Sequence, residues 1–228
     1  MATILYDLCG EDPAVRFSPP CWIVKLALLH KGLDFETAPL GFTEKENYPD
    51  ADYGRLPILR DGDALVTDSA DIVAYLDNTY AERPLVATDA ERAAVDFIGG
   101  FLGAYVFPPV AKRMFVHVHA AIRPQDRDYF RESREERLGM TLEAAADGVP
   151  DDAVAGPMAV LAAPLATRPF FGGAQPNLAD YQVAGLFLWM RIAAPAPLFE
   201  TPTALSAWFD RMLDLYDGYA RGAPKAAA

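Results

Sequence analysis

Three short stretches carry the groups that could recognise and activate a ligand: Ser18 ahead of Pro19-Pro20, the step Leu56-Pro57, and the pair Asp68-Ser69. A proline cannot donate to a strand ladder, and it biases the residue before it toward extended geometry. Were the Leu56-Pro57 bond cis, the backbone of Leu56 would be open to an extended peptide lying alongside. Such a peptide could set a carboxylate at the start of the helix that follows, where Ser69 and free N–H groups point outward.

These groups need elements to hold them. Residues 3–8 alternate and read as a strand, and residues 9–17 as a loop broken by Gly10 and Pro13. Ser18 suits an N-cap with proline in the first turn. Cys21, Val24, Leu28 and Leu29 make a helical stripe, and Gly32 is the stop. A second strand follows at 35–38, then a polar loop over 41–55 with a helical turn near 44–47. Two apolar strands flank Asp61-Gly62-Asp63, a hairpin signal. Ser69 is read as the N-cap of a helix over 69–80, with Asp71 in its first turn and Ile72, Val73 and Leu76 inward. Strand, helix, strand, hairpin, helix is a thioredoxin-like order.

Residues 81–89, with Pro84, read as a linker. Beyond them the apolar periodicity is helical over 90–119, 125–146, 153–167, 178–192 and 203–219, an all-α second half. Pro108-Pro109 is expected to kink or break the first of these helices, because an interior proline costs about 3 kcal/mol or more. Asn177 and Asp180 have capping-box spacing, a folding role. The tail, 222–228, is expected to be disordered.

At 228 residues and 52% hydrophobic composition the chain can bury a core of one large or two modest domains. Its 32 acidic against 20 basic residues give a net charge of −12, which argues against nucleic acid or anionic membranes as partners. No apolar run reaches the length of a membrane span, and the start lacks the basic character of a signal peptide. Cytoplasmic location is the expectation. Cys9 and Cys21 are too few for a disulfide framework, and the latter reads as buried and structural. His117 and His119 read as structural too, and no metal is expected.

The Leu56-Pro57 step, the hairpin and the Asp68-Ser69 helix start, in that order and ahead of a helical second half, resemble the glutathione transferases. The resemblance covers residues 3–219. It implies the glutathione transferase fold: an α/β thioredoxin-like domain over residues 1–80 that binds glutathione, and an all-α domain over 90–228 that forms the electrophile site. It implies glutathione as co-substrate without a metal, contacted by Leu56, Pro57, Asp68 and Ser69. A homodimer is expected from the resemblance alone. The family activates the thiolate with a Tyr, Ser or Cys near the first helix, and Ser18 is the residue assigned here. Tyr6 is the competitor, set aside because its strand position favours packing.

Two segments are narrower. Residues 18–28 and 126–135, the latter followed by 139–143, are similar to the bacterial lignin β-etherases and their fungal-like (FuA) relatives, with Gly41-Phe42-Thr43 also agreeing. That resemblance implies displacement of a phenolate from an aromatic β-aryl ether. Ile23, where that group carries arginine, and Arg16, where it carries a small polar residue, depart from the pattern. Arg16 could face the thiolate or solvent. Tyr105, Phe107, Met114, Phe115 and Trp189 are candidates for the aromatic pocket. A general conjugating transferase or a glutathione-dependent isomerase would use the same Ser18, and a non-catalytic binding module is the alternative from another class.

Overall fold

Strand β1 (Thr3–Leu8) is the centre from which the N-terminal half is built. On one side it pairs in parallel with β2 (Phe35–Leu40), and on the other antiparallel with β3 (Ile58–Asp61). Strand β4 (Ala64–Thr67) returns along β3 through the Gly62-Asp63 turn, giving the sheet order β2-β1-β3-β4. A parallel neighbour needs a crossover, and helix α1 (Pro19–Lys31) supplies it. Helix α2 (Ser69–Thr79) follows the hairpin. This computed structural model describes residues 2–227.

Helix α1 is buried nearly all round: Cys21, Trp22, Val24, Leu26, Ala27 and Leu28 are inside. A helix covered on every side must be sandwiched, and it lies between the sheet with α2 and the central helix of the second half, α8 (Leu178–Ala193). The approach is close. A Cβ placed on Gly185 of α8 would stand 2.8 Å from the Pro19 carbonyl oxygen, so α8 abuts the very start of α1.

The second half is helical: α3 (Asp89–Phe101), α4 (Phe107–Ala121), α5 (Pro124–Leu138), α6 (Leu142–Asp147), α7 (Ala155–Leu165), α8 and α9 (Thr203–Gly218). A thioredoxin-like α/β domain followed by an all-α domain is the fold expected from the sequence. The capping box at α8 is formed: Asp180 accepts from the Asn177 N–H at 3.0 Å, and the Asn177 side chain accepts from the helix's first turn. Asp180 accepts three more bonds, from the N–H groups of Phe171 and Gly172 and from the Trp208 indole.

Several expectations are corrected. Pro108-Pro109 does not break the helix. Residues 102–106 form a π turn between α3 and α4, and this widened turn lets the chain continue past two residues that cannot donate. The stretch 125–146 is two helices, α5 and α6, because Gly139 takes a left-handed φ of 69° and Thr141 recaps the chain. Ser69 is not the N-cap of α2. Asp68 is, its carboxylate accepting from the Ala70 N–H at 2.9 Å. Helical geometry in α9 is lost at Leu215–Asp217. The tail is packed rather than disordered: the Ala226 N–H donates to the Ile192 carbonyl at 2.8 Å, and Arg191 donates to the carbonyls of Arg221 and Ala223. Of the residues in that expectation, Ala228 lies outside the described residues.

Against the expectation of no apolar run of membrane-spanning length, the continuous helical stretch 89–121 is 33 residues long with a mean hydropathy of 1.4 over its most apolar window, enough by length and composition alone to cross a membrane. Its inner side, including Val95, Val106, Val110 and Met114, joins the core of the helical domain.

Candidate active site

Strand register brings the predicted residues to one end of the sheet. Ile58 is paired with both Tyr6 and Thr67. The Leu56-Pro57 step just before Ile58 therefore lies beside the end of β1, and beside Asp68-Ser69 just after Thr67. The Leu56-Pro57 bond is cis, and the Leu56 N–H and C=O have no hydrogen-bond partner among the described residues. From the end of β1 the chain loops to Ser18, which enters α1 at the same end.

Ser18 holds the N-cap position of α1 and is only 6% exposed, but its hydroxyl makes no capping bond. The positive end of the helix dipole thus coincides with a hydroxyl that caps no backbone N–H and meets only the buried Cys21 thiol, an arrangement that favours an anion. Asp68 takes φ 65°, ψ 139°, backbone values rare for a residue with a side chain. Such strain costs about 1–3 kcal/mol and gathers at ligand clamps. Its carboxylate also accepts from the Tyr53 hydroxyl at 3.2 Å. Burial, and then the Asp68 charge, push the Tyr53 hydroxyl above the usual tyrosine range.

A cleft of about 430 Å³ opens between the domains. Ser18 and Leu56 line it from the thioredoxin-like side, with Leu8, Pro19, Pro20 and Arg55. Asp68 is joined to its rim through Tyr53, whose neighbours Gly54 and Arg55 are in the wall. Ser69 borders a separate cavity of about 190 Å³ between α2 and α3, so the structure does not put Ser69 and Ser18 in one cavity.

Of the aromatic candidates, Phe107, Phe115 and Trp189 line the cleft, Phe107 stacking on Trp189 at 5.8 Å. Met114 is core, and Tyr105 is on the outer surface. Sequence reasoning missed Arg55, Tyr48, Tyr129, Phe130, Arg134 and Arg137 in the wall, and it had used Phe42 only as part of a family likeness.

The competitors for Ser18 are accounted for. Tyr6 packs with Leu40, Tyr48 and Ile58, its hydroxyl 3.4 Å from the Arg60 Nε. Arg16 reaches neither thiolate position nor open solvent but pairs with Asp7 at 3.4 Å, which Lys25 also neutralises at 2.5 Å. Cys21 is fully buried, and burial followed by the Asp7 charge pushes its thiol far above the ordinary range, which leaves it inert.

Residues 13–84 match the family of the glutathione S-transferase N-terminal domain, and residues 96–208 that of its C-terminal domain. The chain belongs to the glutathione S-transferase superfamily. It is 38% identical over 80 residues to glutathione S-transferase Z1 of Arabidopsis thaliana, a match covering 32% of this chain and 36% of that protein. The chain thus matches about a third of the length of that relative. A glutathione S-transferase of Hyoscyamus muticus is 26% identical over 198 residues, 84% of this chain and 87% of the relative. Among solved structures, glutathione transferase GSTFuA3 from Phanerochaete chrysosporium superposes with a TM-score of 0.72 at 26% identity, covering 96% and 92% of the two chains. CsGST83044 of Ceriporiopsis subvermispora, solved in complex with glutathione, superposes with a TM-score of 0.80 at 20% identity, over 96% and 99%.

Proposed function

We propose that this protein is a glutathione transferase that uses Ser18 to hold the glutathione thiolate and delivers it to an aromatic electrophile in the cleft. The observation that carries the reading is the meeting, at one end of the sheet, of a Ser18 hydroxyl that caps nothing and the unpaired backbone of Leu56. The cysteinyl backbone of glutathione pairs with Leu56 beside Pro57. Its γ-glutamyl end is held by Asp68, Ser69 and the free N–H groups of α2.

The energetics are sufficient. A free thiol has a pKa near ~8.5, and lowering it by about two units needs ~2.7 kcal/mol in favour of the anion. A helix N-terminus contributes about 0.3–1 kcal/mol. A hydrogen bond to a charged acceptor adds about 1.5–3 kcal/mol.

For the electrophile we favour a β-aryl ether ketone. The thiolate attacks the carbon next to the ketone, a C–S bond forms as the C–O bond breaks, and the phenolate leaves and is protonated by solvent. The aromatic wall of Phe107, Phe115 and Trp189 supports an aromatic acceptor. The cytoplasm, where glutathione is abundant and thiols such as Cys9 and Cys21 stay free, is the setting we assign.

We also propose a homodimer. Phe97 and Tyr105 are 70% and 61% exposed, and with Phe101 they form an aromatic ladder along the outer side of α3 and the π turn. A face of this kind calls for a cover.

Mass spectrometry of the protein with glutathione and a β-aryl ether ketone tests the chemistry. The expected products are a glutathione thioether and a free phenol, both enzyme-dependent. Glutathione binding without ether cleavage would shift the reading to general conjugation or isomerisation, and binding with no turnover of any electrophile would leave a non-catalytic module.

A further inference from the structure

The chain has far more acidic than basic residues, yet the cleft wall contains three arginines and no carboxylate. Arg55 belongs to the thioredoxin-like side, next to Leu56. Arg134 and Arg137 face the cleft from α5, three residues apart and so on one side of the helix.

The other arginines of α5 are neutralised. Arg127 pairs with Glu11 at 3.2 Å, and Arg131 pairs with Glu135 and Glu143, both at 2.8 Å. Neither Arg134 nor Arg137 has a carboxylate partner among the described residues, although Glu135 and Glu136 lie between them in sequence. Arg134 is the sharper case. Its guanidinium lies over Phe130 at 4.4 Å and Phe42 at 5.4 Å, one Nη donates to the Ser133 hydroxyl at 2.7 Å, and its Nε is buried with no partner. Burial and the neighbouring Arg137 charge hold it below the usual arginine range. Arg137 lies over Phe115 at 5.5 Å. A half-buried guanidinium with a buried, unsatisfied Nε and no carboxylate beside it is costly unless an anion compensates it, and here the surrounding rings make a slot for an aryl group.

We infer that the electrophile carries a carboxylate on its aromatic part, and that Arg134, seconded by Arg137, selects it. The inference rests on the glutathione transferase reading and names its acceptor class: aryl carboxylates in preference to neutral aromatics of the same shape. The rival source of the anion is glutathione itself, which has two carboxylates. The position of Arg134 on the helical domain, across the cleft from Leu56 and Arg55, favours the acceptor.

Isothermal titration with two product analogues and with glutathione separates these cases. S-(4-carboxybenzyl)glutathione and S-(4-carbamoylbenzyl)glutathione differ in charge and hardly in shape. In the unaltered protein the carboxylate analogue is expected to bind about ten-fold or more tightly than the amide, the scale of a charged hydrogen bond. Arg134→Gln should reduce that preference to about two-fold or less while glutathione binds as before, and Arg137→Gln should reduce it in part. Equal binding of the two analogues by the unaltered protein, or failure of both while glutathione binds, would overturn the inference alone. A variant Arg134→Gln that weakens glutathione and both analogues by one factor would identify glutathione's own carboxylate as the anion, again overturning it. Failure of all three ligands to bind would remove the glutathione reading, and this inference with it.

Discussion

Ser18 and Ser69 stand at the N-termini of two helices, but they offer different things to a ligand. The Ser18 hydroxyl is not used for capping, so Ser18→Ala removes a donor from the thiolate without taking one from α1. The expected result is a glutathione thiol pKa raised by about one to two units, read by ultraviolet titration of the bound thiolate, with turnover lowered about 10- to 100-fold. Melting should be nearly unchanged. An unaltered thiol pKa would remove Ser18 from the mechanism. Ser69→Ala should weaken glutathione binding about ten-fold and leave the pKa of what still binds alone; equal affinity would count against a γ-glutamyl site at α2. The placement of Ser18, Leu56, Pro57, Asp68 and Ser69 at one end of the sheet was legible because each adjoins backbone punctuation: two prolines after Ser18, a proline at 57, a helix start at 68–69. Arg134 and Arg137 were not legible. Helix α5 is rich in arginine and glutamate along its whole length, and nothing in the sequence tells a solvated arginine from one turned onto Phe130.

At the scale of elements, α8 is the post on which the helical domain and the start of α1 both rest. Its first turn is fixed by Asp180, fully buried and accepting four hydrogen bonds from three separate segments. Asp180→Ala strands those donors, at about 1–3 kcal/mol for each that stays buried, and should lower unfolding free energy by about 4 kcal/mol or more in a urea titration. Trp208→Phe removes one donor, leaves the carboxylate three and adds the cost of a small cavity at a fully buried site, so its loss should be about 2 kcal/mol, well short of that for Asp180→Ala. Comparable midpoints for the two variants would mean that Asp180 is a cap and nothing more. The Asn177–Asp180 spacing was readable because a capping box is local. The donors from Phe171, Gly172 and Trp208 are tertiary and left no mark in the sequence. The same division explains the other differences. Strands β1 to β4 and helices α1 and α2 have local start and stop signals. The break at Gly139, the π turn before Pro108 and the docking of the tail on α8 depend on what packs nearby, and periodicity alone ran two helices together.

For the whole molecule, the cleft exists only if the two domains keep their spacing, and a buried polar link holds them. Asp126, at the start of α5, accepts from the Thr43 N–H at 2.9 Å and its hydroxyl at 2.6 Å, both beyond β2, and from Arg123 at 3.0 Å. Arg123 in turn pairs with Glu44 at 2.6 Å. Burial pushes the Asp126 carboxyl up, but the bonds from Arg123 and Thr43 outweigh it and leave it below the ordinary value. A carboxyl depressed on folding contributes stability above its unfolded pKa of about 3.9 and loses it as pH falls through the folded value. Asp126→Asn should therefore melt lower than the unaltered protein at pH 7, with the gap closing below about pH 4; a gap independent of pH would show that shape rather than charge joins the domains. Assembly is the remaining step at this scale. Phe97, Phe101 and Tyr105 recur at four-residue intervals, so their rings share one face, with Phe97 stacked on Phe101 at 6.4 Å and Tyr105 against Phe101 at 5.5 Å. Water gains nothing from this ladder, and the same ladder on a second copy could cover it by two-fold symmetry. Sedimentation velocity should then give a dimer of 228-residue chains. Phe97→Asp, which sets a charge on an exposed site and disturbs no core, should shift the protein to monomer at micromolar concentration with its melting profile otherwise cooperative. A dimer that survives both Phe97→Asp and Tyr105→Asp would put the interface elsewhere.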